Sequence, residues 1–435
     1  MAGDRYVLLG LARPRAAWFR DVGRWATSAA IPAEFLKCVS VEELGARLGS
    51  GRRHSAVLLD GSLPAVDRDL IGAAREAGCV VLVVDDGRTG RDWAALGAAA
   101  VLAPGFAAEV LLDTLAGCAT MVGRQGAVVA GDDPSGYAGV DPEQASVVAV
   151  LGPGGTGAST VAAALAQGLG QADDASGPVL LADLALQAEQ AMLHDVRDVV
   201  PGIQELVEAH RSGRPTADDV RALTFSVVDR QYSLLLGLRQ ARYWTTLRPR
   251  AFAAAFDSLR ACYGTVVCDV TADLEAEDDG GSADVEERNL MARTAVPAAD
   301  VVFAVGRPGV KGVHALVRVL TDLTRAGIPA ERIVPVFNQA PRSPRARAEL
   351  SRALADLAAP ALGTGRTVAP IFLPTRRVEE AMRDAVRLPA PLPASMAGAY
   401  RAVADRLGPT QVRPPREVEL VRPGSVGSWS SDQDD

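Results

Sequence analysis

Residues 144–172 carry no charged side chain, and no other stretch constrains the fold as much. The stretch opens with the run SVVAVL (146–151), breaks at Gly152-Pro153-Gly154-Gly155-Thr156-Gly157-Ala158-Ser159-Thr160, and continues as VAAALAQGLG. An uncharged segment of this length could cross a bilayer, but glycines and Pro153 interrupt its middle. A buried strand, a glycine-rich turn and a helix account for it instead, and no segment reads as transmembrane. Two glycines five residues apart, then one residue and a serine, between strand and helix, is the frame of a phosphate-binding loop. Glycines let successive backbone N–H groups face one anion, and the helix N-terminus adds partial positive charge. The Ser159 hydroxyl would stand where such loops hold magnesium.

The loop lacks its usual cation. The position before Ser159, ordinarily lysine, is Ala158, and lysine occurs in the chain only at Lys37 and Lys311. A charge-assisted hydrogen bond to phosphate contributes about 1.5–3 kcal/mol, or about one to two decades of affinity.

The rest of the composition is that of a globular protein with material for a large core: 435 residues, 48% hydrophobic, 23% charged, net charge −8. That charge gives no overall pull toward nucleic acid or anionic membrane. Arg239, Arg242, Arg248 and Arg250 offer a candidate basic face, but interspersed surface arginines are the simpler reading, and no sequence-specific nucleic-acid partner is expected. The five cysteines form no CxxC pair and read as reduced core thiols. The four histidines have no metal-ligand spacing, so no structural metal is expected, and nothing suggests haem or flavin.

Strand-like and helix-like segments alternate along the chain, which predicts an α/β protein. Over 1–122 the apolar runs YVLLGLA, SAVLLD, CVVLVVDD and AAAVLAP end in Asp, Gly or Pro and are spaced by helical patterns, implying a small parallel sheet. Residues 123–145 are rich in Gly, Asp and Pro and read as a linker. A second unit over 146–407 supplies SVVAVLG, PVLLADLAL, YSLLLGL, GTVVCDV, ADVVFAVG and RIVPVFN, six buried-type strands of a doubly wound sheet. Residues 408–435 have too little apolar content to fold and read as a disordered tail without a basic amphipathic helix.

The loop PGGTGAST resembles the deviant Walker A of the ParA/MinD family of dimerising ATPases, which reads KGGxGK followed by Ser/Thr and Thr. Pro153 occupies the family's signature-lysine position and Ala158 that of the other lysine, so both functional cations are missing. Further landmarks come in family order. VLLADLALQ resembles the strand end that carries two acids, with Asp183 retained and Ala185 in place of the second. GTVVCDVTAD resembles Walker B and switch II, with Asp269 retained and Thr271 and Asp273 where the family has proline and glycine. Asn338 in VPVFNQA matches the asparagine that reads adenine, and LPTRRVEEAMRDAVRLPAPL resembles the family's late strand-to-helix segment. The first unit resembles a response-regulator receiver, flavodoxin-like in fold. Asp60 stands at its phosphoacceptor position, but Ala103 replaces the conserved lysine and YVLLGLA lacks the acidic pair that binds magnesium, so the resemblance implies a pseudo-receiver.

A pseudo-receiver fused to a MinD-like domain is the arrangement of the CpaE/TadZ proteins of Flp pilus and related secretion systems, and of the septum-site-determining Ssd proteins. The resemblance implies a spatial regulator in cell division or pilus and secretion assembly. It would associate with itself as a dimer and with that machinery, remain cytoplasmic, and reach the membrane or septum only through partners. It implies ATP as ligand through Gly152, Gly154, Gly155, Thr156, Gly157, Ser159, Thr160, Asp183, Asp269 and Asn338. Magnesium would be held by Ser159 and Asp269 only if nucleotide binds. Catalytic residues are not expected. With Pro153 and Ala158 at the lysine positions the chain is at most a weak ATPase; the alternative is an active MinD-like ATPase in which Arg307 or Arg376 replaces the lost lysine.

Overall fold

The computed structural model describes residues 5–122, 145–172, 177–276, 282–362, 369–384 and 386–408. The linker at 123–144 and the tail after Gly408 lie outside the described residues. The first unit runs β1 (Tyr6–Leu11), α1 (Ala17–Thr27), β2 (Ala33–Cys38), α2 (Val41–Leu48), β3 (Ala56–Asp60), α3 (Arg68–Glu76), β4 (Val80–Val84), β5 (Ala100–Leu102) and α4 (Ala108–Cys118). Its strands form a parallel sheet in the order β2-β1-β3-β4-β5. Alternate residues of each strand face opposite helical layers. Leu9, Val57 and Val81 pack with Leu44 and Ile71 of α2 and α3, while Leu8, Leu58 and Leu82 pack with Val22 and Leu111 of α1 and α4.

The second unit opens with β6 (Ser146–Leu151), α5 (Ala158–Gly170), β7 (Val179–Leu184), α6 (Gln190–Leu193), α7 (Ile203–Ser212), α8 (Ala217–Ala222), β8 (Phe225–Val227) and β9 (Tyr232–Leu235). It continues with α9 (Pro249–Cys262), β10 (Thr265–Val270), α10 (Ala283–Arg288), α11 (Leu290–Ala298), β11 (Val301–Gly306), α12 (Val310–Arg325), β12 (Ile333–Ala340), α13 (Pro344–Leu362), β13 (Ile371–Pro374), α14 (Glu379–Arg383) and α15 (Pro391–Leu407). The sheet order is β13-β12-β11-β6-β10-β7-β9-β8, parallel except for the pair β8–β9. α5, apolar nearly all round, is buried between the sheet and α15, as its lack of charge predicts.

Three strands go beyond the runs read as strands in the sequence. β2 is an edge strand whose charged Glu34 and Lys37 break up its apolar character, and most of it is only half-buried. β8, three residues long, caps the far edge antiparallel to β9. β13 is the strand of the late strand-to-helix segment and completes an eight-stranded sheet. Among the described residues no helix is long and apolar enough to cross a membrane. Cys38, Cys79, Cys262 and Cys268 are buried free thiols, and Cys118 is exposed rather than in the core.

The two units meet through α3, which supplies opposite charges to two helix ends of the second unit. The Asp69 carboxylate accepts from the backbone N–H of Arg250 (2.8 Å) and of Ala251 (3.2 Å), capping α9 from outside its own chain segment. Arg68 donates to the carbonyls of His210 (2.8 Å) and Gly213 (2.9 Å) at the C-terminal end of α7. The Arg250 guanidinium crosses Gly72 to pair with Glu76, and a Cβ at Gly72 would collide with its side chain. Arg250 is thus spent on the interface, and Arg239 pairs with Glu205 at 2.7 Å, so these two do not contribute free charge to a basic face.

Candidate functional site

The phosphate-type loop has the backbone that its sequence predicts. Gly155 and Gly157 take positive φ angles of 76° and 81°, which glycine adopts without strain, and Gly157 leads directly into α5. Thr156 closes the turn, its N–H and hydroxyl both donating to the Pro153 carbonyl. The N–H groups of Gly154, Gly155 and Gly157 have no partner among the described residues. Those amides and the first turn of α5 form an anion-binding nest.

Strand register brings the acids to it. Asp269 of β10 lies directly beside Asp183 of β7, and the strand alternation turns both toward the α5 side of the sheet. Asp183 is fully buried and Asp269 is 2% exposed. Burial, then the neighbouring Asp269 carboxylate, holds the Asp183 carboxyl well above the usual carboxylate range. Burial pushes Asp269 up to about 6, against the hydrogen bonds from Gln190 and Ser159 that favour its charged form.

Gln190 is the residue that sequence reasoning missed. Fully buried at the start of α6, it sends Nε2 to Asp269 Oδ2 at 2.7 Å and to the Ser159 carbonyl at 3.0 Å. Its own N–H donates to Asp183 Oδ2 at 2.9 Å, and its carbonyl is 2.7 Å from His194 Nδ1. His194 in turn meets the Tyr232 hydroxyl through Nε2, and burial, aided by the Arg230 charge, pushes its pKa down to about 4. The imidazole is therefore neutral at pH 7. Gln190 Oε1 is buried without a hydrogen-bond partner among the described residues.

These contacts bear on magnesium. The Ser159 hydroxyl and the Asp269 carboxylate are oxygen donors of the kind magnesium takes, and an ion held there would share Asp269 with the Gln190 amide, which bonds Oδ2.

The segments after β7 and β10 are also tied to each other. The Thr271 hydroxyl, at a position where the resemblance places proline, accepts from the N–H of Leu186 at 2.8 Å. Asp273 points away from the loop, pairing with Arg288 at 2.8 Å and Asn289 at 2.9 Å at the junction of α10 and α11. Asn338 is spent locally: its amide donates to the Thr156 carbonyl at 2.9 Å, and its oxygen accepts from the N–H of Gln339 at 2.9 Å.

Beside the nest lies a cleft of about 560 Å³. Gly157, Thr160 and Asn338 form one wall, Arg376 and Met382 another, and exposed Met192 its rim. Arg376 Nε is buried without a hydrogen-bond partner among the described residues. Arg307, the other arginine considered for the lysine's role, is not among the lining residues and donates to Gln339 Oε1 at 2.6 Å. Gly152, Gly154, Gly155 and Ser159 belong to the nest, and the Thr160 hydroxyl lies 3.9 Å from the Met382 sulfur. Among the described residues no group of three or more His, Cys, Asp or Glu side chains is placed to hold a metal.

In the first unit, Asp60 ends β3 and is 7% exposed. It accepts from the N–H of Arg13 (3.2 Å), the N–H of Ser62 (3.0 Å) and the Ser62 hydroxyl, so it closes the turn that leads toward α3. Arg13, on the segment after β1, donates through its guanidinium to the Ser62 carbonyl at 2.7 Å.

The molecule is thus a two-unit α/β protein whose second unit places a glycine nest, two buried acids and a cleft at the C-terminal ends of a parallel sheet. No family model and no curated protein matches the sequence. Several solved structures are similar to the second unit. A ParA family ATPase from Chlorobium tepidum has a TM-score of 0.41 and 17% identity over 60% of this chain and 95% of that one. The cell division ATPase MinD from Pyrococcus furiosus has a TM-score of 0.43 and 18% identity over 60% and 99%. The septum site-determining protein MinD from Pyrococcus horikoshii, complexed with Mg-ADP, has a TM-score of 0.41 and 21% identity over 60% and 95%.

Proposed function

We propose that this protein is a spatial regulator of the CpaE/TadZ and septum-site-determining type, acting by protein–protein association in cell division or in pilus and secretion assembly. The observation that carries the reading is the set of contacts made by Gln190. A ParA/MinD-type switch is an order–disorder and dimerisation element biased by the γ-phosphate. Here Gln190 ties the segment after β7 to Asp269 and Ser159, and Pro153 and Ala158 remove the cations that would sense that phosphate. Association is then set by protein contacts, with the first unit as a docking module held in place by α3. Self-association and binding to the division or secretion machinery, with recruitment to the membrane or septum through those partners, follow from this reading.

The test is sedimentation of the purified chain with and without ATP and magnesium, alongside an ATPase assay. An unchanged oligomeric state and no hydrolysis above that of Asp269→Ala supports the reading. Hydrolysis that Asp269→Ala abolishes contradicts it. A second reading, an ATPase in which Arg376 replaces the lost lysine, is favoured by the unpartnered Arg376 Nε in the wall of the cleft.

A further inference from the structure

We infer that the contact between the two units is an ionic clasp that opens, so that the first unit alternates between a docked and a released position. The inference rests on the reading of the first unit as a docking module, and it adds how that module is set free.

Three observations carry it. Among the described residues no buried apolar cluster spans the joint. Leu70 and Ile71 of α3 belong to the core of the first unit, while Leu206 and Val207 of α7 and Phe252 and Ala255 of α9 belong to that of the second. Neither core takes a side chain from the other unit. The apolar burial that makes a joint permanent is therefore not what holds the units together.

Charge holds them instead, in contacts that are each open to competition. Asp67, Asp69 and Glu76 of α3 face Arg211 of α7 and Arg250 of α9. Arg211 stands 3.4 Å from Asp67 but 2.8 Å from Glu208 of its own helix. The side chains of Glu76 and Arg250 are 70% and 34% exposed, so water and salt reach that pair. Burial pushes the Asp69 carboxyl above its usual range, against the N–H groups of Arg250 and Ala251 that favour its charged form. The cap on α9 is thus kept at a desolvation cost.

The third observation is steric. Arg250 crosses α3 at Gly72, its Nε 3.1 Å from Glu76 Oε1, and a Cβ at Gly72 would meet Arg250 Cδ and Nε. One methyl group is enough to displace the guanidinium. Docked and released positions then differ by a few screened contacts rather than by a core. Docked, α3 is covered by α7 and α9. Released, the first unit stays tethered through residues 123–144 and turns α3 to solvent, where a partner can reach it.

The experiment is single-molecule fluorescence transfer in the full chain, labelled at the exposed Cys118 and at Arg318→Cys on the exposed side of α12, the other cysteines being buried. At that dilution copies do not meet, so failure of the self-association reading, which sedimentation detects, leaves this result standing. The transfer efficiency should fall about twofold between about 0.1 M and about 1 M NaCl, where the screening length shrinks from about 10 Å to about 3 Å. Gly72→Ala, which alters no charge, should already populate the low-efficiency state at about 0.1 M NaCl, and the surface change Glu76→Gln should move the transition to lower salt. Near-UV circular dichroism should stay constant throughout, because each unit keeps its own core. A wild-type efficiency that is constant up to about 1 M NaCl overturns the inference. So does a Gly72→Ala chain that is as closed as the wild type, and so does a fall in efficiency that comes with loss of the near-UV signal, which is unfolding and not release.

Discussion

Asp60 and Asp269 stand at comparable places, each at the C-terminal end of an inner parallel strand where α/β proteins put their chemistry. Both are buried, and both are occupied by the chain's own donors. Asp60 is saturated by three donors from two adjoining turns, a carboxylate solvated by protein. Asp269 accepts from Gln190 and Ser159 while a second buried acid presses on it from the next strand, and an open nest and cleft lie beside it. The first site is closed by its own hydrogen bonds; the second is bridged by Gln190, and burial works against the charge of its acid. Acids at comparable strand ends therefore reach two different outcomes in one molecule, a structural turn and a buried pair beside an open nest.

Acid should break the second region. His194, which holds the Gln190 carbonyl, and His210 in α7 are both pushed down to about 4 by burial. A depressed histidine contributes stability that is full above its ordinary pKa of about 6.5 and is lost as pH falls toward 4. Between pH 7 and 5 each should cost about 2 kcal/mol in urea unfolding, and His194→Gln should remove its share of that dependence. If the dependence is unchanged in His194→Gln, the imidazole is not the neutral bridge described here.

One substitution made at both strand ends sharpens the contrast. Asp269→Asn keeps an acceptor for Gln190 and removes one of two pressed acids. The raised carboxyl favours folding only while protonated, so this variant should gain stability as pH rises through 6, about 3 kcal/mol at pH 8. Asp60→Asn turns a donor toward the N–H of Arg13 or Ser62 and should lose about 1–2 kcal/mol. The same sign at both positions in chemical unfolding would erase the distinction.

The smallest effect concerns the joint between the units. Asp69→Ala removes the cap from α9 and should cost about 1 kcal/mol, read as a lower melting temperature with faster cleavage between the units in limited proteolysis. No change in either would mean that α3 is not what couples them.

The sequence reveals most where its signal is local. The uncharged stretch at 144–172 announces β6, the nest and α5 because a buried strand and helix leave no room for charge. Asp183 and Asp269 can be read as acids at strand ends, and their register on β7 and β10 then makes them neighbours. β2 hides because an edge strand tolerates Glu34 and Lys37. Gln190 hides for a different reason. It sits in a four-residue helix with no periodic pattern, five residues after Ala185, and its role exists only once β7, β10 and α5 are assembled. Arg376 can be singled out as a cation following a strand, but Arg307 looks the same in sequence, and only the fold puts one in the wall of the cleft and the other on Gln339.

Hydrogen exchange of the full chain, with and without ATP and magnesium and again with ADP in EDTA, tests most directly whether the second site is held by its own side chains. The amides at 183–193 and 269–275 should be as protected without ligand as with it, and any new protection should fall on 154–160 alone. Strong protection of 183–193 and 269–275 that appears only with ATP and magnesium would show that the nucleotide, not Gln190, organises those segments, and would contradict the account.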